Sequence, residues 1–386
     1  MPAPKLYFVA AEPSGDLLAR ETIEALRLQN PDVEVVGIGG QELAKVGIDS
    51  PIDVTPLSIV GLFDGLKVYG TVLKLADAAV DSIIEEAPEA VVLVDSWGFM
   101  VRVAERLRAR APEIKIIKLV GPQIWATRPG RAKKLAAKVD HLICIHQMEV
   151  PYYEPHGLPV TVMGNPALSR TERGDGPKYR SKLGLSDEDK LVLVLPGSRP
   201  SEIRRVAPAL VEAAWLLKLE DASVTVVVAP AQDVREQFEA AFPEIQKWAH
   251  VSDPAEVTAD IMAAADFALA CSGTVTSELA VQGTPFLVGY KAGALTYFVA
   301  KNFLYKPVHI TLINIAADDK EIAREFLQSE LEPGRMANFA KSLLFDPAAL
   351  EAQVEAQNKA LSRMGERDEA ASEIAAKAIL DVISAR

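Results

Sequence analysis

Residues 90–99 read AVVLVDSWGF, an apolar run that ends abruptly in an acidic residue and a short turn. A continuous apolar run rich in valine is typical of a strand buried on both faces of a parallel sheet. Proteins built on such sheets bind ligands at the carboxyl ends of the strands. Asp95 stands at that end of this run, and we therefore expect it to be a functional residue.

Similar runs recur on both sides of this segment and alternate with helical patterns. They are LYFVA (6–10), VEVVGIG (33–39), IKIIKLV (114–120), HLICI (141–145), VTVMG (160–164), LVLVLPG (191–197), SVTVVVAP (223–230), FALACSG (267–273) and PFLVGYK (285–291). Short buried strands that alternate with helices predict doubly wound parallel sheets.

A polar stretch divides this series of strands into two groups. Residues 169–184, SRTERGDGPKYRSKLG, contain Gly and Pro and lack apolar periodicity, which predicts a linker. The chain has 386 residues, 49% of them hydrophobic, enough for two cores. We predict an α/β fold with two Rossmann-like domains facing a central cleft. The N-terminal domain comprises residues 1–168, with a C-terminal helix at about 365–386 packed back on it, and the second domain comprises residues 169–364.

Composition argues against several classes of partner and cofactor. The net charge of −12 argues against a general affinity for nucleic acid. Cys144 and Cys271 lie in apolar runs, so we expect buried residues of a reduced cytosolic protein. The five histidines show no metal-binding spacing, and we predict neither a metal nor another cofactor.

Contact with a membrane is expected to be peripheral. The N-terminal sequence MPAPKLYFVAAEPSGD has an apolar run too short for a signal peptide. No stretch approaches the roughly 18 to 20 apolar residues that span a bilayer. The segment 290–315 mixes aromatic residues with lysines, which suits either a core helix or a surface for anionic lipid, and periodicity alone does not separate these alternatives.

The first candidate motif is AEPSGD (11–16), which follows a strand and precedes a helix. Ser14 and Asp16 are suited to capping and Gly15 to a tight turn. A capped turn would explain the motif by itself, but its position at the end of a strand also suits a ligand site. We predict these three residues as substrate-binding residues.

The motif LPGSRPSEI (195–203) leads from a strand through a turn into a helix. Free backbone N–H groups, the helix dipole and a guanidinium would converge there, and together they favour phosphate or diphosphate. Ser198 and Arg199 are the candidate ligands. The alternative is a capped turn in which Arg199 is solvated or paired with Glu202.

The segment ACSGTVTSELAVQGTPFLVGYK (270–291) repeats this arrangement with an added carboxylate. Ser272, Gly273 and Thr274 would offer small side chains and backbone donors to an anion, and Glu278 could accept hydrogen bonds from ribose. A Glu in the first turn is also stabilising through the helix dipole alone. Two such turns in one domain point to a nucleoside diphosphate, while the absence of GxxxxGK[ST] argues against a P-loop ATPase.

A basic cluster follows the fourth strand in GPQIWATRPGRAKK (121–134). It contains Arg128, Arg131, Lys133 and Lys134 a few residues after Trp125. A solvated basic helix face is the simplest interpretation, and we assign no role to it from the sequence.

These motifs, in this order, resemble the lipid-A-disaccharide synthase family of inverting glycosyltransferases, which have the GT-B architecture. The matching stretches include AEPSGDLLA, VGIGGQELAKVG, LSIVGLFDGL, VLVDSWGF, GPQIWATR, LPGSRPSEI, CSGTVTSELAVQGTPFLVGYK and ITLINIAADDKEIAREFLQSE. The resemblance implies transfer of 2,3-diacylglucosamine from its UDP derivative to 2,3-diacylglucosamine 1-phosphate. It also implies a cytoplasmic enzyme, peripheral on the inner face of the inner membrane, that needs no metal. The sequence leaves the oligomeric state open, a homodimer included.

Roles carried over from the resemblance fall on matching positions only. Asp95 corresponds to the family's candidate general base, and Arg199 would stabilise the departing diphosphate. The UDP-binding segment is matched by Ser272, Gly273, Thr274 and Glu278. Polar positions of a later motif, implied to contact the nucleotide or diphosphate, are matched by Asn314, Glu325 and Gln328.

The sequence departs from the family pattern on the acceptor side. The departures are Ser96–Met100 after the base, Gly121–Thr127 around Trp125, and Asn165. Donor class is therefore better defined than acceptor identity, acyl-chain length or acyl linkage. Three alternatives remain open: a paralogue with another acceptor, a UDP-sugar epimerase, and a non-catalytic UDP-sugar-binding protein.

Overall fold

The computed structural model of the protein describes residues 3–55, 65–125, 127–186, 188–293, 308–365 and 369–385. It divides into two compact units, Met1–Ser169 with Gly365–Arg386, and Arg170–Met364. Most of the LSIVGLFDGL motif and the aromatic segment between 294 and 307 lie outside the described residues. No described helix combines the length and apolar character needed to cross a bilayer.

The first unit contains a six-stranded parallel sheet in the order β2-β1-β3-β4-β5-β6. Its strands are β1 Lys5–Ala10, β2 Glu34–Ile38, β3 Ala90–Val94, β4 Lys115–Leu119, β5 His141–Cys144 and β6 Val160–Val162. The helices up to the unit boundary are α1 Pro13–Gln29, α2 Gln41–Lys45, α3 Gly65–Glu86, α4 Trp97–Arg110, α5 Arg131–Ala136, α6 Val150–Tyr153 and α7 Pro166–Arg170.

Two apolar layers enclose this sheet, because alternate residues of each strand face opposite sides. Val91 and Leu93 belong to one core cluster, whereas Val92 and Val94 belong to the other. Every residue of β3 is fully buried. This two-sided burial explains why the strand reads as an uninterrupted apolar run.

The second unit contains its own six-stranded parallel sheet in the order β12-β11-β10-β7-β8-β9. Its strands are β7 Lys190–Leu195, β8 Val224–Val228, β9 His250–Val251, β10 Phe267–Cys271, β11 Phe286–Tyr290 and β12 Glu325–Leu327. The helices are α8 Gly176–Lys182, α9 Pro200–Arg205, α10 Ala207–Glu220, α11 Arg235–Ala241, α12 Thr258–Ala264, α13 Val275–Gln282, α14 Leu312–Ala316, α15 Pro333–Leu344 and α16 Pro347–Met364. All ten strands expected from the sequence are present, and β9 and β12 are additional edge strands.

The predicted linker at 169–184 is wrong for most of its length. Asp175 caps α8 by accepting a hydrogen bond from the Lys178 N–H at 3.0 Å. Arg180 donates to the Ala264 carbonyl at 3.1 Å and to the Asp266 carboxylate at 2.9 Å. The polar residues that suggested a solvated linker instead cap this helix and bond it to other residues of the second unit.

The last helix, α17 (Ala371–Ser384), returns the chain to the first unit. Ile379 is fully buried in the same core cluster as residues of α1. Gln29 donates to the Glu373 carbonyl at 3.0 Å, and Lys115 donates to the Val382 carbonyl at 2.7 Å. The first unit therefore needs both ends of the chain.

Candidate functional site

The two phosphate-suited turns meet at the carboxyl edge of the second sheet. β7 and β10 are neighbouring parallel strands, with Leu195 paired to Ala270. Strands that run parallel end at the same edge, so the turn after β7 lies beside the turn after β10. The sequence separates these turns by about 75 residues, and the sheet brings them together.

A cavity of about 370 Å³ lies at this edge. Of the predicted residues, it is lined by Ser198, Ser272, Gly273, Thr274 and Glu278. A volume in this range suits a small-molecule ligand. Part of the remaining wall comes from the turns after β8 and β9, which the sequence analysis did not single out.

The carboxylate of Glu202 binds the backbone N–H groups that were expected to bind a phosphate. Its Oε2 accepts hydrogen bonds from the backbone N–H groups of Ser198 at 2.9 Å and Arg199 at 3.2 Å. Gly197, with φ of +114°, makes this return possible, since a Cβ there would lie 2.6 Å from the Glu202 Cβ. The expectation of free N–H donors in this turn is therefore wrong: they are already bonded, as in the capped-turn alternative.

Arg199 does not line the cavity itself, but it follows Ser198, which does. The side chain of Arg199 is 72% exposed, and its Nη1 lies 3.3 Å from Glu202 Oε1. An exposed pair of this kind contributes little to stability. The guanidinium is thus available to an incoming anion at the cost of one weak ion pair.

Two charged residues in the cavity wall, Glu278 and Arg235, are half-buried. Burial raises the pKa of the Glu278 carboxyl above its usual value. The Nε of Arg235 is buried and has no hydrogen-bond partner in the described residues, while its Nη1 contacts Glu239 at 3.4 Å. A buried donor without a partner is costly, so Arg235 is a ligand-binding candidate that the sequence analysis missed.

Asn314 and Glu325 are buried and hydrogen-bonded to each other. Glu325 Oε1 accepts from the Thr311 N–H at 2.8 Å and from Asn314 Nδ2 at 3.0 Å. Asn314 Oδ1 also accepts from the Ala323 N–H at 2.9 Å, and its side chain is fully buried. These hydrogen bonds hold the loop before β12, and a direct nucleotide contact of the two residues stays a prediction. Gln328 follows β12 at the carboxyl edge with a left-handed φ of 54°.

In the first unit, Asp95 lies where the sequence places it, directly after β3. It is half-buried, and no hydrogen bond to its carboxylate is found among the described residues. Its φ of 47° and the φ of 39° at Ser96 are left-handed, a strained arrangement for two non-glycine residues. Gly15 packs against it, since a Cβ there would lie 3.6 Å from the Asp95 Cβ.

The buried side chain of Lys118 forms hydrogen bonds to the backbone at this strained turn. It is 1% exposed, and its Nζ donates to the carbonyl oxygens of Leu93 at 3.1 Å, Asp95 at 2.6 Å and Leu119 at 3.2 Å. Burial lowers the pKa of its ammonium to about 7, against the opposing effect of the Asp95 and Glu12 carboxylates. A lysine inside a buried strand was a visible signal that the sequence analysis left unused.

The AEPSGD turn divides its residues between scaffold and surface. The Asp16 carboxylate accepts from the Gly40 N–H at 2.9 Å and the Glu42 N–H at 2.8 Å, and so caps α2. Ser14 is exposed, while Glu12 lines a cavity of about 280 Å³ at the end of β1. Asp16 also lines this cavity, and its predicted substrate contact stays a prediction.

Two units, each built on a doubly wound parallel sheet, define the GT-B fold. The UDP-GlcNAc 2-epimerase of Neisseria meningitidis, solved with UDP-GlcNAc, has a similar fold. The TM-score is 0.55 and the identity 13%, with 100% of each chain covered. The predicted α/β fold class with two Rossmann-like domains is confirmed.

A sequence model of the lipid-A-disaccharide synthetase family matches residues 6–379. The lipid-A-disaccharide synthase of Rhodospirillum centenum is 33% identical over 386 residues, covering 99% of this chain and 95% of the relative. That of Anaeromyxobacter sp. (strain K) is 35% identical over 366 residues, with 94% of each covered. The chain belongs to the lipid-A-disaccharide synthetase family, and it is accordingly a glycosyltransferase. The resemblance predicted from the motifs is confirmed.

Proposed function

We propose that the enzyme transfers 2,3-diacylglucosamine from UDP-2,3-diacylglucosamine to 2,3-diacylglucosamine 1-phosphate, with release of UDP and formation of a β-1,6-linked disaccharide. The observation that carries this proposal is the family match from residue 6 to residue 379, which spans both units. The family match does not favour a UDP-sugar epimerase or a non-catalytic UDP-sugar-binding protein.

The donor is assigned to the cavity of the second unit. Ser198, Ser272, Gly273 and Thr274 would surround the diphosphate, and the Glu278 carboxylate would accept hydrogen bonds from the ribose hydroxyls. Arg199 would exchange its weak contact with Glu202 for the diphosphate, where a guanidinium forms stronger, bidentate bonds. Gln328 is retained as a predicted contact at the same edge.

Asp95 is assigned as the general base. The acceptor hydroxyl oxygen attacks the anomeric carbon of the donor while the bond from that carbon to the diphosphate oxygen breaks. Asp95 takes the hydroxyl proton, and the bonding electrons leave with UDP, whose charge Arg199 stabilises. The absence of a competing hydrogen bond at the Asp95 carboxylate among the described residues supports this role.

Peripheral contact with the inner membrane is part of the same proposal, because both substrates carry acyl chains that anchor them in lipid. The cytoplasmic face of that membrane is proposed because the resemblance to the family implies it. Sedimentation of the purified protein with phospholipid vesicles would test the membrane contact. A protein that remains in the supernatant at every lipid composition would count against it.

The catalytic assignments are tested by UDP release from the purified protein with this donor and acceptor. Asp95→Asn should lower kcat by about 100-fold or more, because one proton acceptor is lost. Arg199→Ala should lower kcat by about 100-fold. Asp32→Asn and Arg204→Ala, at exposed positions, are the matched controls and should retain wild-type rates. Absence of UDP release by the wild-type enzyme would refute the substrate pair.

A further inference from the structure

Arg128, in the turn that follows β4, and Arg131, the first residue of α5, lack acidic partners among the described residues. Neither Arg128 nor Arg131 forms an ion pair or a side-chain hydrogen bond with any residue that the structure describes. Neighbouring basic residues of the first unit do: the pairs are Arg106 with Asp77, Arg108 with Asp140, Arg110 with Asp81, and Lys138 with Glu105. In a chain with a net charge of −12, two unpaired arginines so close together call for an explanation.

The two guanidinium groups are near enough to repel each other. Burial lowers the pKa of the Arg131 guanidinium, and the charge of Arg128 lowers it further. Two adjacent like charges oppose folding unless an anion binds between them. The arrangement is therefore one that a bound anion would stabilise.

The pair lies at the carboxyl edge that also holds Asp95. β3 and β4 are neighbouring parallel strands, with Val94 paired to Leu119, so the turns that follow them are adjacent. The Arg131 guanidinium carbon lies 5.2 Å from the centroid of the Trp97 ring, and Trp97 is two residues beyond Asp95. This stacking fixes the direction of one arginine relative to the proposed base.

The backbone at Arg128 gives a separate indication. Its φ of 51° lies in the left-handed region, where glycine would be relaxed and an arginine is strained. A large charged side chain at such a position costs stability, and strain of this kind is concentrated at functional sites.

We propose that Arg128 and Arg131 bind the phosphate monoester of the sugar acceptor. This inference rests on the proposed function and adds to it the group that positions the acceptor. A phosphate monoester carries close to two negative charges at neutral pH, and two guanidinium groups match its oxygens with parallel hydrogen bonds. Held by its phosphate, the acceptor sugar would be oriented with respect to Asp95.

The test compares two acceptors, 2,3-diacylglucosamine 1-phosphate and the same lipid without its phosphate. The variants are Arg128→Gly and Arg131→Gln, with Lys133→Ala as the matched control. Lys133 is exposed, lies in the same basic cluster and loses the same unit of charge. Arg128→Gly relieves the left-handed strain, so its melting temperature should not fall below that of the wild type. The Kd for UDP reports whether the donor unit is intact.

Wild-type enzyme should prefer the phosphorylated acceptor in kcat/KM. Arg128→Gly and Arg131→Gln should each lower kcat/KM for it by about 10- to 100-fold, the range expected when one charged hydrogen-bonding group is removed. The rate with the dephosphorylated acceptor and the Kd for UDP should stay within about twofold. Lys133→Ala should resemble the wild type with both acceptors.

Several outcomes would overturn the proposal. One is an undiminished phosphate preference in both variants, and another is a loss equal to that in Lys133→Ala, which would indicate general attraction between charges. Loss of binding to vesicles containing anionic phospholipid, with the acceptor preference intact, would reassign the pair to membrane headgroups.

Failure of the proposed function is distinguishable from failure of this site. If the wild type turns over neither acceptor, the reaction assignment fails. The site is then tested by 31P NMR with glucosamine 1-phosphate, a soluble probe without acyl chains. Binding to the wild type and to Lys133→Ala but not to Arg128→Gly would uphold the anion site, whereas equal or absent binding in all three would overturn it.

Discussion

Lys118 illustrates how one buried charge affects stability. Burial places the pKa of its ammonium at about 7, whereas a lysine in an unfolded chain titrates at about 10.4. Between these two values the unfolded state binds more protons than the folded state. The free energy of unfolding should therefore rise with pH over this window, and the gain should be lost as pH falls through about 7.

Lys118→Met should remove this rise. Urea unfolding at several pH values across the window measures the free energy of unfolding of the variant and of the wild type. The difference between the two curves reports Lys118 alone, because all other titrating groups are common to both proteins. Lys115→Met is the matched control, because Lys115 begins the same strand and also donates to backbone carbonyls but is only half-buried. Parallel curves for Lys118→Met and the wild type would contradict the assignment.

Arg235 gives a prediction for the donor cavity. Its buried Nε lacks a partner among the described residues, so a donor oxygen that accepts from it would gain a charge-assisted hydrogen bond. Arg235→Ala should raise the Kd for UDP by about 10-fold or more. Glu239→Gln removes the carboxylate that Arg235 contacts but keeps the guanidinium, and it should leave the Kd unchanged. Equal effects in isothermal titration would show that the ion pair alone matters.

Sequence reasoning at this scale succeeded where a residue stands at the end of a buried strand. Asp95, Ser272 and Thr274 lie at such ends, because chain direction and burial fix that position. It did not foresee the bonds that a side chain makes to a segment distant in sequence. Asp16 caps a helix about 25 residues away, and Asn314 is enclosed by its own loop, neither of which a local pattern encodes.

At the scale of the elements, the turn after β7 depends on one glycine. An alanine at Gly197 would combine a φ of +114° with a Cβ only 2.6 Å from the Glu202 Cβ. Glu202 would have to move and release the N–H groups of Ser198 and Arg199. Gly197→Ala should lower the free energy of unfolding by about 1–3 kcal/mol and weaken UDP binding.

The matched control for this turn is Gly184→Ala. Gly184 also has a left-handed φ, of +69°, but its Cβ would meet no heavy atom within 4 Å. The Gly184→Ala variant should therefore lose some stability through backbone strain alone and should keep the wild-type Kd for UDP. Urea unfolding and titration with UDP measure the two effects separately. A Kd that is the same in both variants would argue against a role of the turn in donor binding.

Strand prediction worked because burial on both faces leaves an uninterrupted apolar signal. β9 has two residues and β12 has three, too few for such a signal, and both lie at sheet edges. Residues 169–184 were wrongly predicted to be a linker because they are polar. Their polar side chains serve as a helix cap and as ion pairs, which composition alone does not distinguish from solvation.

At the scale of the whole molecule, the two units have separate cores and are proposed to bind different ligands, which makes their stabilities separable by experiment. Ile379 is fully buried in the core of the first unit, and Ile379→Ala should lower the stability of that unit by about 2–5 kcal/mol. If UDP binds in the cavity of the second unit as proposed, it should stabilise that unit by about 2.7 kcal/mol at 100 times its Kd.

The four tryptophans allow each unit to be followed by fluorescence. Trp97 and Trp125 lie in the first unit, while Trp215 and Trp248 stack in the second with ring centroids 4.9 Å apart. In a chain without Trp97 and Trp125, UDP should raise the observed melting temperature by the same amount with and without Ile379→Ala. In a chain that lacks Trp215 and Trp248, Ile379→Ala should lower the melting temperature and UDP should leave it unchanged. A UDP-dependent shift in that second chain would show that the units unfold together, and would place the effect of donor binding on the whole molecule rather than on one sheet.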